Sequence, residues 1–140
     1  MDNINSLWTR LLRFHKLIID QAKIRYEQEN GQISPQEYFK LLTNHEQFNW
    51  LKPINQILTQ VDEGMETVGH NQGKLRKALN SLENLILGKG NQEFFKKYQE
   101  YSKQDQVLVS LEKEILARLK ELFTNFDDEE SSGYNKKKVK

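Results

Sequence analysis

One apolar pattern near the end of the chain limits the possible folds more than any other feature. Its members follow one another three or four residues apart: Leu108, Leu111, Ile115, Leu119, Leu122 and Phe126. This spacing places the side chains on one face of an α-helix, and such a face is buried against other apolar surface. No segment alternates apolar and polar residues as a strand does, since Val107 and Val109 lie inside the helical pattern. The sequence therefore predicts an all-α protein.

Turn residues and helical spacing divide the rest of the chain into further helices. Ser34 is a good helix cap, Pro35 suits the first helical position, and Glu37 can reach back to the serine amide. The predicted helices span about residues 5–30, 35–43, 51–61, 74–87, 91–101 and 105–126. An extension of the third to residue 68 is left open, as is the choice of Ser102 or Asp105 as the cap of the last. Three glycines between Gly64 and Gly73 predict a break after the third helix. We expect a bundle of four principal helices with short ancillary helices.

The first helix carries more apolar residues than one face requires. Its predicted buried face is a wide helical stripe: Trp8, Leu11, Leu12, His15, Ile18, Ile19, Ala22 and Tyr26. Leu7, Phe14 and Leu17 lie off this stripe. The surplus predicts either burial on more than one side or a surface for a partner.

A short stretch rich in large side chains separates the second and third helices. It contains Phe48, Trp50, Leu51 and Pro53, which we call the aromatic knot. Pro53 belongs in the first turn of a helix, where its missing amide costs little. The knot is interpreted as structural, and Trp50 is predicted to be buried.

The composition changes after residue 126. Four acidic residues, 127–130, precede a serine- and glycine-containing stretch and then four lysines, and no apolar periodicity remains. Such a segment cannot bury enough apolar surface to offset the entropy of ordering it. The sequence predicts one helical domain over residues 1–126 and a disordered charged tail over 127–140.

Charge and composition exclude several classes of function. The 140 residues include 21 basic and 20 acidic ones, so the formal net charge of +1 gives no reason to expect nucleic-acid binding. The chain has no cysteine, which excludes disulfides and thiolate metal sites. No apolar run exceeds three residues and no signal-peptide segment is evident, so we expect a cytoplasmic protein without a membrane span. Standard catalytic and phosphate-binding motifs are missing, and no catalytic residue, metal or cofactor is predicted.

His15 is the strongest candidate for a functional residue. It lies on the predicted apolar stripe of the first helix, where Asp62 or Glu63 of the third helix could partner it. Helical bundles hold metals and ligands with such side chains, although their usual Glu-x-x-His pairs are missing here. The simpler interpretation is a core histidine hydrogen-bonded to a carboxylate or carbonyl, with Asp62 the expected carboxylate, and acidic residues on a solvated face.

Several short motifs, taken in order, resemble those of a known family. They are His15-Lys16-Leu17-Ile18-Ile19-Asp20, Tyr26-Glu27, Asn30-Gly31, Phe48-x-Trp50-Leu51-x-Pro53, Ile57, Asp62-Glu63, Phe94-x-x-x-Tyr98 and Gln104-Asp105-Gln106-Val107. The pattern is similar to that of small bacterial all-helical proteins of unknown function and covers about residues 8–119. The resemblance implies a helical fold and transfers no activity. The glycine-rich segment and the tail depart from it.

Two functions remain open at this point. The first is a non-enzymatic helical interaction protein with a protein partner or a second copy of itself, motivated by the surplus on the first helix. The second is a ligand- or metal-binding bundle, with enzymatic activity left open, centred on His15 and Asp62.

Overall fold

Helices account for nearly all of the chain that a computed structural model describes, residues 2–66 and 72–139, with side chains over 4–66 and 73–128. These residues form six α-helices, one 3₁₀ helix and no strand, so the all-α prediction is confirmed. The α-helices are α1 (Asp2–Asn30), α2 (Pro35–Asn44), α3 (Lys52–Glu66), α4 (Gln72–Leu87), α5 (Gln92–Ser102) and α6 (Gln106–Val139). The 3₁₀ helix is Glu46–Leu51. None of the helices in these residues combines the length and apolarity that a membrane span needs.

Polar cap residues set where α2 and α5 begin. Ser34 Oγ accepts the Glu37 amide at 3.2 Å, with Pro35 in the first turn of α2. Asn91 Oδ1 accepts the amide of Phe94 at 2.9 Å at the start of α5. Because short polar side chains satisfy amides that lack a helical partner, these local signals are readable from sequence.

Four of the helices form a closed ring of packed neighbours. α1 packs along α6, α3 packs along α4, α4 also contacts α6, and α1 contacts α3 at fewer positions. Side-chain contacts pair Ser6 and Arg10 of α1 with Arg118 and Glu114 of α6, and Gln21 with Asp105, the residue just before α6. Residue numbers fall on α6 as they rise on α1, so these two helices are antiparallel.

The buried face of α1 is rotated from the predicted one. It consists of Ile4, Leu7, Leu11, Phe14, Ile18 and Ala22. Leu7 and Phe14, predicted to lie off the stripe, are 0% exposed, whereas Leu12, predicted to be on it, is 47% exposed. α3 and α6 lie on either side of α1. Apolar residues at both edges of its core-facing side can therefore be buried. The surplus on α1 is therefore core, and half-buried Leu17 packs against it.

The aromatic knot lies in the 3₁₀ helix and at the start of α3, and it fills one end of the ring of helices. Phe48, Trp50 and Leu51 are all buried, and Pro53 is half-buried at the start of α3. The centroid of the Trp50 ring lies 5.9 Å from the ring centroid of Phe94 and 5.1 Å from that of Tyr101. The knot thus joins the start of α3 to the buried face of α5.

Gly64 lies where α3 and α4 approach each other closely. A Cβ atom added to Gly64 would lie 2.8 Å from the Cα of Leu75. The predicted fraying does not occur here, since α3 continues through this residue to Glu66. Residues 67–71 of the predicted break, with Val68, lie outside the described residues, and Gly73 lies within α4.

The last helix extends past residue 126, and α6 continues through Asp127 to Val139. The domain boundary at residue 126 and the disordered tail stay predictions. Asp127 pairs with Arg76 of α4 at the start of this extension. Once a helix is nucleated, each further residue adds a backbone hydrogen bond at little cost, which accounts for the extension without an apolar face.

Candidate functional site

His15 lies on the side of α1 that faces α3 and is half-buried. Its Nε2 lies 2.6 Å from Oδ1 of Asn55, and because an amide oxygen only accepts, the ring donates Nε2–H. Asp62, the predicted partner, is exposed and lies seven residues beyond Asn55 on α3, a rise of about 10 Å. The predicted pairing with Asp62 is therefore wrong, and an amide takes the place of the carboxylate.

The other predicted ligand residue is paired elsewhere. Glu63 forms a salt bridge with Lys74 of α4, the Lys74 Nζ lying 3.3 Å from its carboxylate. Within the described residues, no three histidine or acidic side chains are grouped so that they could hold a metal ion. The structure thus does not bring His15, Asp62 and Glu63 together into one site.

Burial of His15 has a consequence for stability against pH. Burial lowers the pKa of His15 below its usual 6.5, and the hydrogen bond to Asn55 offsets part of the shift. The unfolded chain therefore binds this proton more tightly than the folded one. The stability that His15 contributes is complete above its unfolded pKa and falls as the pH drops through that value.

We expect His15→Gln to reduce the loss of stability between about pH 8 and pH 5, because glutamine does not titrate. The measurement is urea unfolding of wild type and variant across this range. Other titrating groups contribute equally to both proteins and cancel in the difference. Two parallel stability curves would contradict the assignment.

His45 has a structural role at the start of the 3₁₀ helix. Its Nδ1 accepts the amide of Gln47 at 3.0 Å and so caps the 3₁₀ helix that holds the aromatic knot. Its ring also contacts those of Tyr26 and Phe48. The side chain itself remains exposed.

α2 is the helix least integrated into the core. Only Tyr38 of its ten residues is buried, and the Tyr38 hydroxyl donates to the carbonyl of Ile19 at 2.5 Å. Leu41 and Leu42 are half-buried. Tyr38 thus anchors this helix to α1 and to Phe48 of the knot, Leu41 and Leu42 pack against the edge of the core, and most of the helix surface faces solvent.

Phe39 stands out on this helix because it is 71% exposed. The other exposed large apolar side chains of the described residues range from 37% for Val109 to 49% for Ile24. Phe39 follows the buried Tyr38 by one residue, or about 100° of helical rotation. The solvent side of α2 also carries other exposed residues, and together they define the α2 face: Gln36, Glu37, Phe39, Lys40 and Thr43.

A groove of about 410 Å³ runs beside the α2 face. It lies between the end of α1, the following loop and α2, and its lining residues are Tyr26, Ile33, Glu37, Lys40, Leu41, Asn44 and His45. Tyr26, Ile33 and Leu41 give it an apolar floor, while Glu37 and Lys40 stand on its rim. The arrangement suits an apolar side chain inserted between charged neighbours.

Sequence reasoning missed the exposure of Phe39. The apolar cluster at residues 38, 39, 41 and 42 indicates that some of these residues are buried, without showing which. A ten-residue helix packed on one side can bury about half of them, and the sequence did not indicate which side. The signal available was the width of the cluster, which exceeds one helical face.

Known proteins give no further guide to this surface. Comparison of the chain with models of protein families, with curated proteins and with solved structures gives no match. The function of the α2 face is therefore inferred from its own residues and geometry.

Proposed function

We propose that this protein is a non-enzymatic helical interaction protein and that the α2 face binds a protein partner. The observation that carries the proposal is the 71% exposure of Phe39, the most exposed large apolar side chain of the described residues. Burying a phenylalanine side chain is favourable by about 1.5–3 kcal/mol, and here that free energy is available to docking. A single exposed apolar residue is ordinary, but α2 also borders a groove with an apolar floor on its other flank, so apolar surface is accessible on both sides of the helix.

The scaffold in this proposal is a bundle of four principal helices, α1, α3, α4 and α6, with α2 attached at one end. A cytoplasmic location and membership of the bacterial family with the similar motifs are part of the same proposal. Its support is the motif order, the absence of cysteine and the helical architecture.

The competing function, a ligand- or metal-binding bundle, has weaker support. It requires His15 and Asp62 to share one site, whereas His15 bonds to Asn55 and Glu63 to Lys74. An imidazole already bonded to an amide is better explained as part of the contact between α1 and α3.

The test has two stages. A photo-crosslinking phenylalanine analogue is placed at position 39, and in a control protein at position 24, where Ile24 is 49% exposed on another helix. The partner identified by mass spectrometry in adducts specific to position 39 is purified, and its affinity is measured by calorimetry. We expect Phe39→Ser to weaken binding by about 10-fold to 100-fold and Ile24→Ser to leave it unchanged.

Two results would overturn the proposal. One is that position 39 yields no protein adduct beyond those of position 24. The other is an affinity that Phe39→Ser does not change. A second copy of this chain counts as a partner in both stages.

A further inference from the structure

We infer that the partner of the α2 face is a second copy of this chain, with the two α2 helices packed antiparallel about a twofold axis. This inference rests on the proposed function of the α2 face and names its occupant. The reason is that the face is complementary to itself in charge and in the position of Phe39.

The charge pattern of α2 is complementary to that of a second α2 helix running in the opposite direction. Glu37 and Lys40 are its only charged residues, and among the described side chains neither takes part in a salt bridge. We place the twofold axis at the level between positions 38 and 39. Glu37 and Lys40 then lie at equal distances from the axis, one on each side of it. Each Glu37 therefore faces the Lys40 of the other copy, and no like charges of α2 face each other.

Phe39 lies next to the same axis, so the two phenyl rings meet near the centre of the pair. The twofold axis is perpendicular to both helices and lies in the plane between them. Rotation about this axis brings each flank of α2 against the same flank of its copy. Phe39 lies on one flank and Glu37 on the other, about 160° apart around the helix. The apolar contact and the two ion pairs consequently form together without competing for space.

The size of the surface sets how strong this pairing can be. α2 has ten residues and is about 15 Å long, which is short for an interface that must bury about 1,000 Å² or more to be stable. Exposed ion pairs are also screened by salt. We expect a reversible dimer that forms as the protein concentration rises and weakens as the salt concentration rises.

Charge reversal provides the decisive experiment. The oligomeric state of the purified full chain is measured by sedimentation equilibrium over increasing concentration, at low and high salt. Lys40→Glu and Glu37→Lys are each expected to weaken self-association by about 10-fold or more, because each sets like charges against one another. Lys96→Glu on α5 is the matched control, since Lys96 is exposed and lies on another helix, and it should leave the dimer unchanged.

Mixing the variants separates pairing between copies from damage to the fold. A chain with Lys40→Glu has two acidic residues on α2, and one with Glu37→Lys has two basic residues. An equimolar mixture should therefore form a mixed dimer more strongly than either variant self-associates alone. The double variant with both reversals should recover self-association, and Phe39→Ser should abolish it. Circular dichroism checks that every variant keeps its helices.

The outcomes distinguish this inference from the proposed function. A wild-type chain that stays monomeric at every concentration, or charge variants that dimerise as it does, would overturn pairing between copies. If position 39 then crosslinks to a different protein whose binding needs Phe39, the α2 face is still an interaction surface. If neither occurs, both proposals are wrong.

Discussion

Replacing Trp50 with alanine is expected to lower the free energy of unfolding by about 3–5 kcal/mol, as for other large core aromatics. The indole is 4% exposed and packs against the rings of Phe94 and Tyr101, so its removal leaves a cavity between the 3₁₀ helix and α5. The whole α2 end of the bundle depends on that contact, because the knot joins α2 to α3. The measurement is urea unfolding followed by far-ultraviolet circular dichroism.

The other tryptophan supplies the control. Trp8 is half-buried and packs on the core from its edge, so Trp8→Ala makes the same chemical change with less burial. Its cost is expected to be clearly smaller than that of Trp50→Ala. Equal losses would show that the knot has no special part in closing the bundle.

Replacing Gly64 with alanine is expected to destabilise the protein, although alanine is the better helix former. The added Cβ would lie 2.8 Å from the backbone Cα of Leu75, and backbone cannot move aside as the end of a side chain can. Overpacking costs about 1–3 kcal/mol and occasionally more, against a gain of about 1 kcal/mol in helix propensity. We therefore expect a net loss, caused by separation of α3 from α4.

Gly90→Ala tests whether that loss is specific to the close approach. A Cβ on Gly90 would find its nearest neighbour at 3.7 Å, an ordinary contact, and its backbone is not left-handed. Thermal unfolding should distinguish the two variants, with Gly64→Ala melting lower. A Gly64→Ala protein as stable as wild type would mean that the two helices can move apart without cost.

The helices were predictable because their signals are local. The caps Ser34 and Asn91, and the apolar spacing on either side of Ile115, act within one or two turns of the chain. The role of Gly64 was not predictable, since glycine breaks a helix or permits close packing depending on what lies opposite. That neighbour, Leu75, belongs to another helix.

The candidate site was predicted least well, and for a related reason. Two overlapping apolar stripes run along α1, and only the positions of α3 and α6 decide that Phe14 is core while Leu12 is exposed. The partner of His15 likewise depends on the axial offset between α1 and α3, which places Asn55 rather than Asp62 beside it. Apolar periodicity indicates which side of a single helix faces the core. A site between two helices also depends on the offset of one helix along the axis of the other.

The antiparallel contact between α1 and α6 bears on how the protein folds as it is synthesised. Ser6 and its partner Arg118 are 112 residues apart, which corresponds to roughly 6–22 seconds of translation at about 5–20 residues per second. During that interval the core face of α1 can contact α3 but lacks its largest neighbour. The α3–α4 pair, closed by a short connection, is free to form early, while the α1–α6 contact requires closure of a long loop. The apolar residues of α1 must therefore remain soluble, or be shielded by other proteins of the cell, until α6 has been made.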